Sequence, residues 1–299
     1  MRLDKVDLNL FVVFDAIYRE RSVTRVAAQL NLTQPAVSNA LSRLRQTFDD
    51  PLFVRSPEGM APTPVAEAMV GDVRRALELL GRSVGATARF DPAGSDRVFR
   101  LGMNDLAEAL VLPPLHARLK GLAPGVSVTS YYVAREAATE ELKAGLIDLL
   151  LEVPVINARD LHQQPQAEFD YRLAMRTGHP LAQGPVDLQS YLQAEHLHVS
   201  SRRRGRGHVD LALQRIGARR RVSMRVQNYL VAARITEQTD LLWTVPAVLA
   251  RELPLHLVAL PFAVEPLAWF LFWARSAEED PANRWMRELI REVVADLGG

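Results

Sequence analysis

The segment LTQPAVSNALSRLRQTF, residues 32–48, combines a helical apolar repeat with an unusual polar face. That face carries hydroxyl, amide and guanidinium groups, and no carboxylate comes before Asp49. Asn and Gln side chains can pair with adenine, Arg with guanine, and hydroxyls with bases or phosphates. The pattern predicts a DNA-contacting face made of Thr33, Gln34, Pro35, Ser38, Asn39, Ser42 and Arg43. The buried side is predicted to comprise Ala36, Val37, Ala40, Leu41 and Leu44.

The flanking sequence favours a DNA-binding module over the alternative, an ordinary solvated polar face. An amphipathic helix is predicted over residues 7–19, and Ser22 can cap a short second helix that stops at Asn31. Thr33 is predicted to cap a third helix that runs to about Phe48. Two short helices joined by a tight turn behind a support helix form a helix-turn-helix. The segment DPLFVRSPEGMAPTP, residues 50–64, then has the turn residues of a two-stranded wing, which would place Arg55 near phosphate.

The stretch from residue 63 to residue 84 has apolar positions that alternate steps of four and three. These positions are Ala66, Val70, Val73, Leu77, Leu80 and Val84. Such spacing is typical of a coiled-coil seam, so we predict a dimerisation helix; a helix packed on its own domain is the alternative. Dimerisation would place two recognition helices about 34–36 Å apart, which suits a palindromic operator.

Strands and helices alternate in the second half of the chain. VFRLGM and VSVTSYYV are strand-like, each is followed by a helical segment, and a second unit of this kind begins at Tyr171. The late strand WFLFWAR and the final helix can return to complete the first unit. Two lobes would then enclose a cleft, and open α/β sheets bind ligands at the carboxyl ends of their strands.

Residues 6–66, which include RSVTRVAAQLNLTQPAVSNALSRLR, resemble the winged helix-turn-helix of LysR-type transcriptional regulators. KAGLIDLLLE, GHPLA and DPANRWMREL are similar to segments of the effector-binding domain of that family. The resemblance implies an α+β multi-domain fold: a winged helix-turn-helix, a linker coiled-coil helix and a two-lobed, periplasmic-binding-protein-like α/β effector domain. It also implies a homodimer, and beyond it a homotetramer, that binds double-stranded DNA and a small-molecule effector in the inter-lobe cleft. VDLNL and QPAVSNALSRLR look like the nodulation, aromatic-degradation and leucine-response branch, which favours an anionic or aromatic effector.

The domain boundaries follow from these patterns and the resemblance. We expect the DNA-binding domain at residues 1–62, the linker helix at 63–88, a hinge at 89–96 and the effector domain at 97–299. The first lobe is expected to comprise residues 97–165 and 266–299, and the second lobe residues 166–265.

The predicted cleft has polar candidates at strand ends and helix starts. They are Asn104, Asp105, Tyr132, Ser201 and Arg202. Helix N-termini and guanidinium groups favour an anionic ligand, and SSRRRGRGH, residues 200–208, is rich in arginine, although a solvated charged loop is the alternative. In the family a Ser or Thr is commoner than Asn at the position of Asn104, which leaves the ligand class open.

Composition excludes several classes of protein. Of the 299 residues 48% are hydrophobic and 24% charged, as in folded soluble domains, and the net charge of +1 requires any DNA contact to come from a local patch. The absence of cysteine excludes disulfides, thiolate metal sites and thiol catalysis. The acidic side chains of the effector domain are not accompanied by a nucleophile, an oxyanion loop or a phosphate-binding glycine pattern. We therefore expect neither an enzyme nor a cofactor.

Two further expectations concern metals and location. His196 and His198 alternate on one strand face and could bind a metal with Glu195 or His208, but no spacing fixes a third ligand, so we expect no metal. The acidic start of the chain and the lack of a long apolar run predict a cytoplasmic protein without membrane contact. A ligand-independent DNA-organising repressor and a two-lobed solute-binding protein stay open as alternatives.

Overall fold

The computed structural model describes residues 6–57, 59–84, 90–154, 160–201 and 207–298, with the backbone alone at residues 75, 78, 79 and 82–84. The chain forms two compact units, Met1–Ala88 and Arg89–Gly299. The elements of the first unit are α1 (Asn9–Glu20), α2 (Val23–Gln29), α3 (Gln34–Phe48), β1 (Phe53–Ser56), β2 (Gly59–Pro62) and α4 (Pro64–Val84).

The caps predicted for the helix-turn-helix are confirmed. The Ser22 hydroxyl accepts a hydrogen bond from the Arg25 amide at the start of α2, and the Thr33 hydroxyl accepts one from the Ala36 amide at the start of α3. Asn31 has a φ of 54° and makes the left-handed turn between the two helices. These local signals are strong because each satisfies a backbone group that the first turn of a helix leaves unpaired.

The buried face of α3 differs from the prediction at one residue. Val37, Leu41 and Leu44 are buried in the core, whereas Ala36 is exposed, so the prediction for Ala36 is wrong. At 100° per residue Ala36 lies roughly 90° from the middle of the buried stripe, which puts it at the edge of that face.

The wing is a hairpin of β1 and β2, as predicted, and it is held against the first two helices. The Met60 amide donates to the carbonyl of Arg21 at 2.8 Å. Gly59 has a φ of +116°, and a Cβ there would collide with the same carbonyl oxygen. Only glycine combines that conformation with so close an approach.

The linker helix α4 packs partly on its own unit. Ala66 and Val73 are buried in the core around α1, so the prediction that these two face a partner helix is wrong. Val70 and Leu77 are half-buried against the same core, while Leu80, further along the same stripe, is 45% exposed. The side chain of Val84 lies outside the described residues. The alternating four-and-three spacing of α4 therefore reflects burial in its own domain core. Leu80 continues the same stripe but is exposed, so it is available to a partner.

The second unit contains two five-stranded sheets. Its strands are β3 (Val98–Gly102), β4 (Ser127–Tyr131), β5 (Leu149–Glu152), β6 (Leu161–Phe169), β7 (Tyr171–Met175), β8 (Glu195–Val199), β9 (Arg221–Val226), β10 (Leu242–Pro246), β11 (His256–Val258) and β12 (Leu267–Ala274). Its helices are α5 (Asp105–Leu122), α6 (Ala138–Lys143), α7 (Leu188–Gln193), α8 (His208–Arg215), α9 (Tyr229–Gln238), α10 (Ala247–Ala250) and α11 (Pro281–Leu297). The predicted return of the late strand is confirmed, because β12 lies between β5 and β6.

The sheet orders are β4-β3-β5-β12-β6 in the first lobe and β11-β7-β10-β8-β9 in the second. The first sheet is mixed rather than purely parallel, because β12 runs antiparallel to both of its neighbours. Strand β6 was missed by the sequence analysis, since LHQQPQAEF is mostly polar, contains Pro165 and lies at a sheet edge. The expected lobe boundary between residues 165 and 166 falls inside β6 and is therefore wrong. Among the described residues, no helix combines the length and apolarity needed to cross a bilayer.

Candidate DNA-binding face and effector cavity

The predicted DNA-contacting residues lie together on one exposed surface of the first unit. The whole set is exposed: Thr33, Gln34, Pro35, Ser38, Asn39, Ser42 and Arg43 on or beside α3, and Arg55 on the wing. A surface groove of about 750 Å³ between α3 and the wing is lined by Ser38 on one side and Arg55 on the other. This arrangement offers base-directed amides and hydroxyls from the helix and a phosphate-directed guanidinium from the wing.

Two arginines of α3 make different contacts. Arg43 is exposed and its Nη1 lies 3.2 Å from the carboxylate of Asp7, an ion pair that water and DNA phosphate can both replace. Arg45 donates through Nε to the carbonyl of Pro51 and through Nη2 to the carbonyl of Phe53, both at 2.8 Å. Arg45 thus fastens the wing to the recognition helix, a role that the sequence analysis missed because both acceptors are backbone groups.

The second unit contains a cavity of about 430 Å³ between its two lobes. Four of the five predicted effector residues line it: Asn104, Asp105, Tyr132 and Ser201. Arg202 falls outside the described residues. Asn104 caps α5, since its side-chain oxygen accepts from the Ala107 amide at 3.0 Å. Its position at the cavity is therefore fixed by the helix start.

Asp105 reaches from the first lobe to the second. Its carboxylate accepts hydrogen bonds from the backbone amides of Tyr229 and Leu230, at the N-terminus of α9. Burial raises the pKa of Asp105, an effect that outweighs the amide hydrogen bonds, and Glu108 on the same helix raises it further. The cavity wall is therefore bridged by a carboxylate that is costly to leave unpaired.

Other lining groups were not predicted. Arg135 pairs with the nearly buried carboxylate of Glu152 at 3.1 Å, and Glu152 also accepts from the Val153 amide. Burial raises the pKa of Tyr171 to about 12 and raises that of Tyr229 beyond its usual range, so both phenols stay neutral. Tyr229 follows the carboxyl end of β9, so the strand-end rule that selected Tyr132 and Ser201 could have found it.

The two histidines of β8 do not converge. The Nε2–H of His196 donates to the carbonyl of Tyr191 at 2.7 Å, whereas Nδ1 of His198 accepts from Arg220 at 3.2 Å. Burial lowers the pKa of His196 to about 4. Within the described residues, no group of three acidic or histidine side chains is placed to bind a metal ion. His196 is a neutral core residue.

Family models match both units. The model for the bacterial regulatory helix-turn-helix protein of the lysR family matches residues 8–67, and the model for the LysR substrate binding domain matches residues 92–295. The chain belongs to the LysR family of transcriptional regulators. A LysR-type regulator has these two parts, a DNA-binding domain and an effector-binding domain.

Relatives within the LysR family align over nearly the whole chain. The HTH-type transcriptional activators NagR of Ralstonia sp. and NahR of Pseudomonas putida are each 35% identical over 99% of this chain and 100% of the relative. A crystal structure of a probable transcriptional regulator from Pseudomonas aeruginosa is 33% identical, with a TM-score of 0.74 over 97% of this chain and 98% of that one. These LysR-type relatives are transcriptional regulators rather than enzymes.

Proposed function

We propose that this LysR-type regulator binds a palindromic operator as a homodimer or homotetramer, and that a small anionic or aromatic effector in the inter-lobe cavity switches it. The observation that carries the proposal is that one chain has both an acid-free recognition face on α3 and, in its second unit, a cavity bounded by both lobes. Binding alone would not switch the regulator. The effector must bind one arrangement of the lobes more tightly than the other, because a ligand with equal affinity for both does not shift the equilibrium between them.

Exposed apolar residues support the oligomer. On α4, Leu80 continues the stripe of Ala66 and Val73 but is exposed. In the second unit, β4 and β9 are edge strands, and apolar side chains on or near them are exposed: Tyr131, Leu211, Ile216, Val222 and Met224. Edge strands with exposed apolar neighbours are surfaces that a second copy of the chain can cover.

The cavity supports a small effector with a polar group. Its described lining combines phenols, hydroxyls, amides, two histidines and apolar walls with one arginine, Arg135, and three carboxylates. Each carboxylate already accepts a hydrogen bond from the protein: Asp105 from Tyr229, Glu108 from Ser130 and Glu152 from Arg135. This is the composition of sites that hold a compact ring or carboxylate with a few oriented hydrogen bonds. The proposed effector contacts are Asn104, Asp105, Tyr132, Ser201 and Arg202.

The test couples the two units in one experiment. Binding of the purified protein to DNA upstream of its own gene is measured by fluorescence anisotropy, beside a thermal-shift screen of aromatic acids, other small carboxylates and amino acids. A ligand at 100 times its Kd should stabilise the second unit by about 2.7 kcal/mol. We expect a hit that also changes the footprint on DNA, and that is lost in Tyr132→Ala.

Two outcomes would contradict the proposal. DNA binding with no response to any tested compound class would favour a DNA-organising repressor without an effector. A solute-binding role would be favoured if the protein bound a ligand but no DNA, and if Ser42→Ala and Arg55→Ala matched the wild type in both measurements.

A further inference from the structure

The first helical turn of α9 is capped from the other lobe. Among the described residues, Asn228 at the N-cap position makes no side-chain hydrogen bond to that turn. The amides of Tyr229 and Leu230 instead donate to the carboxylate of Asp105 on α5. By contrast, α5 is capped by its own Asn104. Amides at a helix start need an acceptor, and α9 takes its acceptor from across the cavity.

This contact joins two separately built lobes. Helix α5 follows β3 of the first sheet, α9 follows β9 of the second, and the two helices pack against each other beside the cavity. The carboxylate of Asp105 is partly desolvated, so moving the lobes apart would expose both the helix end and the charge. A hydrogen bond to a charged group at a helix N-terminus is among the stronger single contacts that a cavity wall can hold.

We propose that Asp105 is a positioning residue of the effector cavity, whose carboxylate latches α9 across the cavity and sets the spacing of the two lobes. Regulation by the latch rests on the proposed function, since an effector acts through the lobe arrangement. An anionic group of an effector can replace Asp105 at the amides of α9 and release the latch. The spacing itself is a property of the chain that can be measured without DNA or effector.

The chain offers a matched control on the same helix. Glu108 lies one turn after Asp105 and also lines the cavity, but its carboxylate accepts from Ser130 within the first lobe, at 2.6 Å. Glu108→Gln therefore removes the same charge from the same wall without touching the contact between lobes. Asp105→Asn is nearly isosteric and removes the charge that makes the latch strong.

The experiment measures lobe spacing in the full chain. Because the sequence has no cysteine, Lys120→Cys on α5 and Gln193→Cys on α7, both at exposed positions, give two unique spin-label sites. Dipolar spectroscopy on labelled protein diluted with unlabelled protein reports distances within one chain. Hydrogen exchange of the Tyr229 and Leu230 amides reports the cap.

We expect Asp105→Asn to lengthen or broaden the inter-lobe distance and to speed exchange of those amides about tenfold, as for a lost hydrogen bond to a charged group. Glu108→Gln should change neither. Adding Asn228→Asp to Asp105→Asn supplies a cap within α9, which should restore amide protection but not lobe spacing. That separation distinguishes a latch from an ordinary helix cap.

An unchanged inter-lobe distance in Asp105→Asn would overturn the latch. An equal change of that distance in Glu108→Gln would also overturn it, because the lobe spacing would then depend on the total charge of the cavity wall. Failure of the proposed function looks different. If the protein takes no effector, the distance change in Asp105→Asn still occurs; if an effector binds and the distance does not respond to Asp105→Asn, only the latch is lost.

Discussion

The carboxylate of Asp15 on α1 lies 2.6 Å from Nε of Arg74 on the linker helix α4 and also accepts a hydrogen bond from Arg19. Asp15 is buried, and the guanidinium groups of Arg74 and Arg21 each lie over the ring of Tyr18. The linker helix is thereby fixed to the helix-turn-helix by a polar contact as well as by apolar packing.

The Asp15 contact should make the first unit sensitive to acid. Burial raises the pKa of Asp15, but the hydrogen bonds and charges of Arg19 and Arg74 outweigh this and hold it below its usual range. The stabilisation is therefore present at neutral pH and lost as the pH falls below the ordinary aspartate value. Asp15→Asn should cost about 1–2 kcal/mol at pH 7 because both arginines are partly in water, and less at pH 3, where the stabilisation is declining. Urea unfolding at both pH values checks this, with Asp7→Asn, at a half-exposed carboxylate paired with Arg43, as control. An equal cost at both pH values would refute it.

The recognition helix and the wing should contribute differently to DNA binding. Asn39→Ala should cost about 1–3 kcal/mol at one base position and relax the preference there. Arg55→Ala should weaken binding to all sequences and lower the salt slope by roughly one. Selection from a randomised operator library, combined with salt titration, separates the two effects. Altered base preference at a constant salt slope in Arg55→Ala would show that the roles are misassigned.

Arg45 should affect DNA binding through the wing. Arg45→Ala removes the hydrogen bonds to Pro51 and Phe53, so the amides of β1 and β2 should exchange faster. Operator affinity should fall because Arg55 is no longer held in place. The matched control is Arg43→Ala, two residues earlier and roughly 200° around α3. Arg43 contacts Asp7 rather than the wing, so this variant should leave wing exchange unchanged. Normal wing protection in Arg45→Ala would contradict the positioning role.

The dimer should depend on the outer part of the linker stripe. Leu80→Asp places an unpaired charge in the proposed contact and should weaken dimerisation and operator binding together, without unfolding the first unit. Ala68→Asp puts the same charge on another exposed face of α4 and serves as control. Sedimentation velocity measures the association. A dimer of unchanged strength in Leu80→Asp would remove α4 from the interface.

His196 should give the second unit a pH-dependent stability. Its pKa is lowered from 6.5 to about 4 by burial, so the unfolded chain takes up a proton at a pH where the folded chain does not. Stability is full above pH 6.5 and falls towards pH 4, by about 2 kcal/mol between pH 6.5 and pH 5. His196→Gln should flatten this dependence, and the exposed His116→Gln should not. Thermal unfolding across this range is the measurement.

The sequence predicted the parts of the molecule that depend on local signals. Caps such as Thr33, the turn at Asn31 and the strands of both lobes follow from backbone requirements that neighbouring residues satisfy. Strand β6 escaped prediction because edge strands need no apolar alternation. The prediction that Ala66 and Val73 face a partner helix was wrong because burial against α1 and burial against a partner require the same spacing of apolar residues. The bridge from Asp105 to α9 joins residues 124 positions apart, and no local pattern encodes such a pair.

The position of β12 affects the order in which the molecule can be completed during synthesis. All strands of the second sheet lie within residues 171–258, so the ribosome has delivered that sheet before Leu267 emerges. The first sheet starts earlier but must wait, because β12 separates β5 from β6 and both lack that neighbour until then. A nascent chain therefore holds two open strand edges from the synthesis of β6 until β12 emerges. A message truncated in this interval would yield an aggregation-prone product that retains an intact DNA-binding domain.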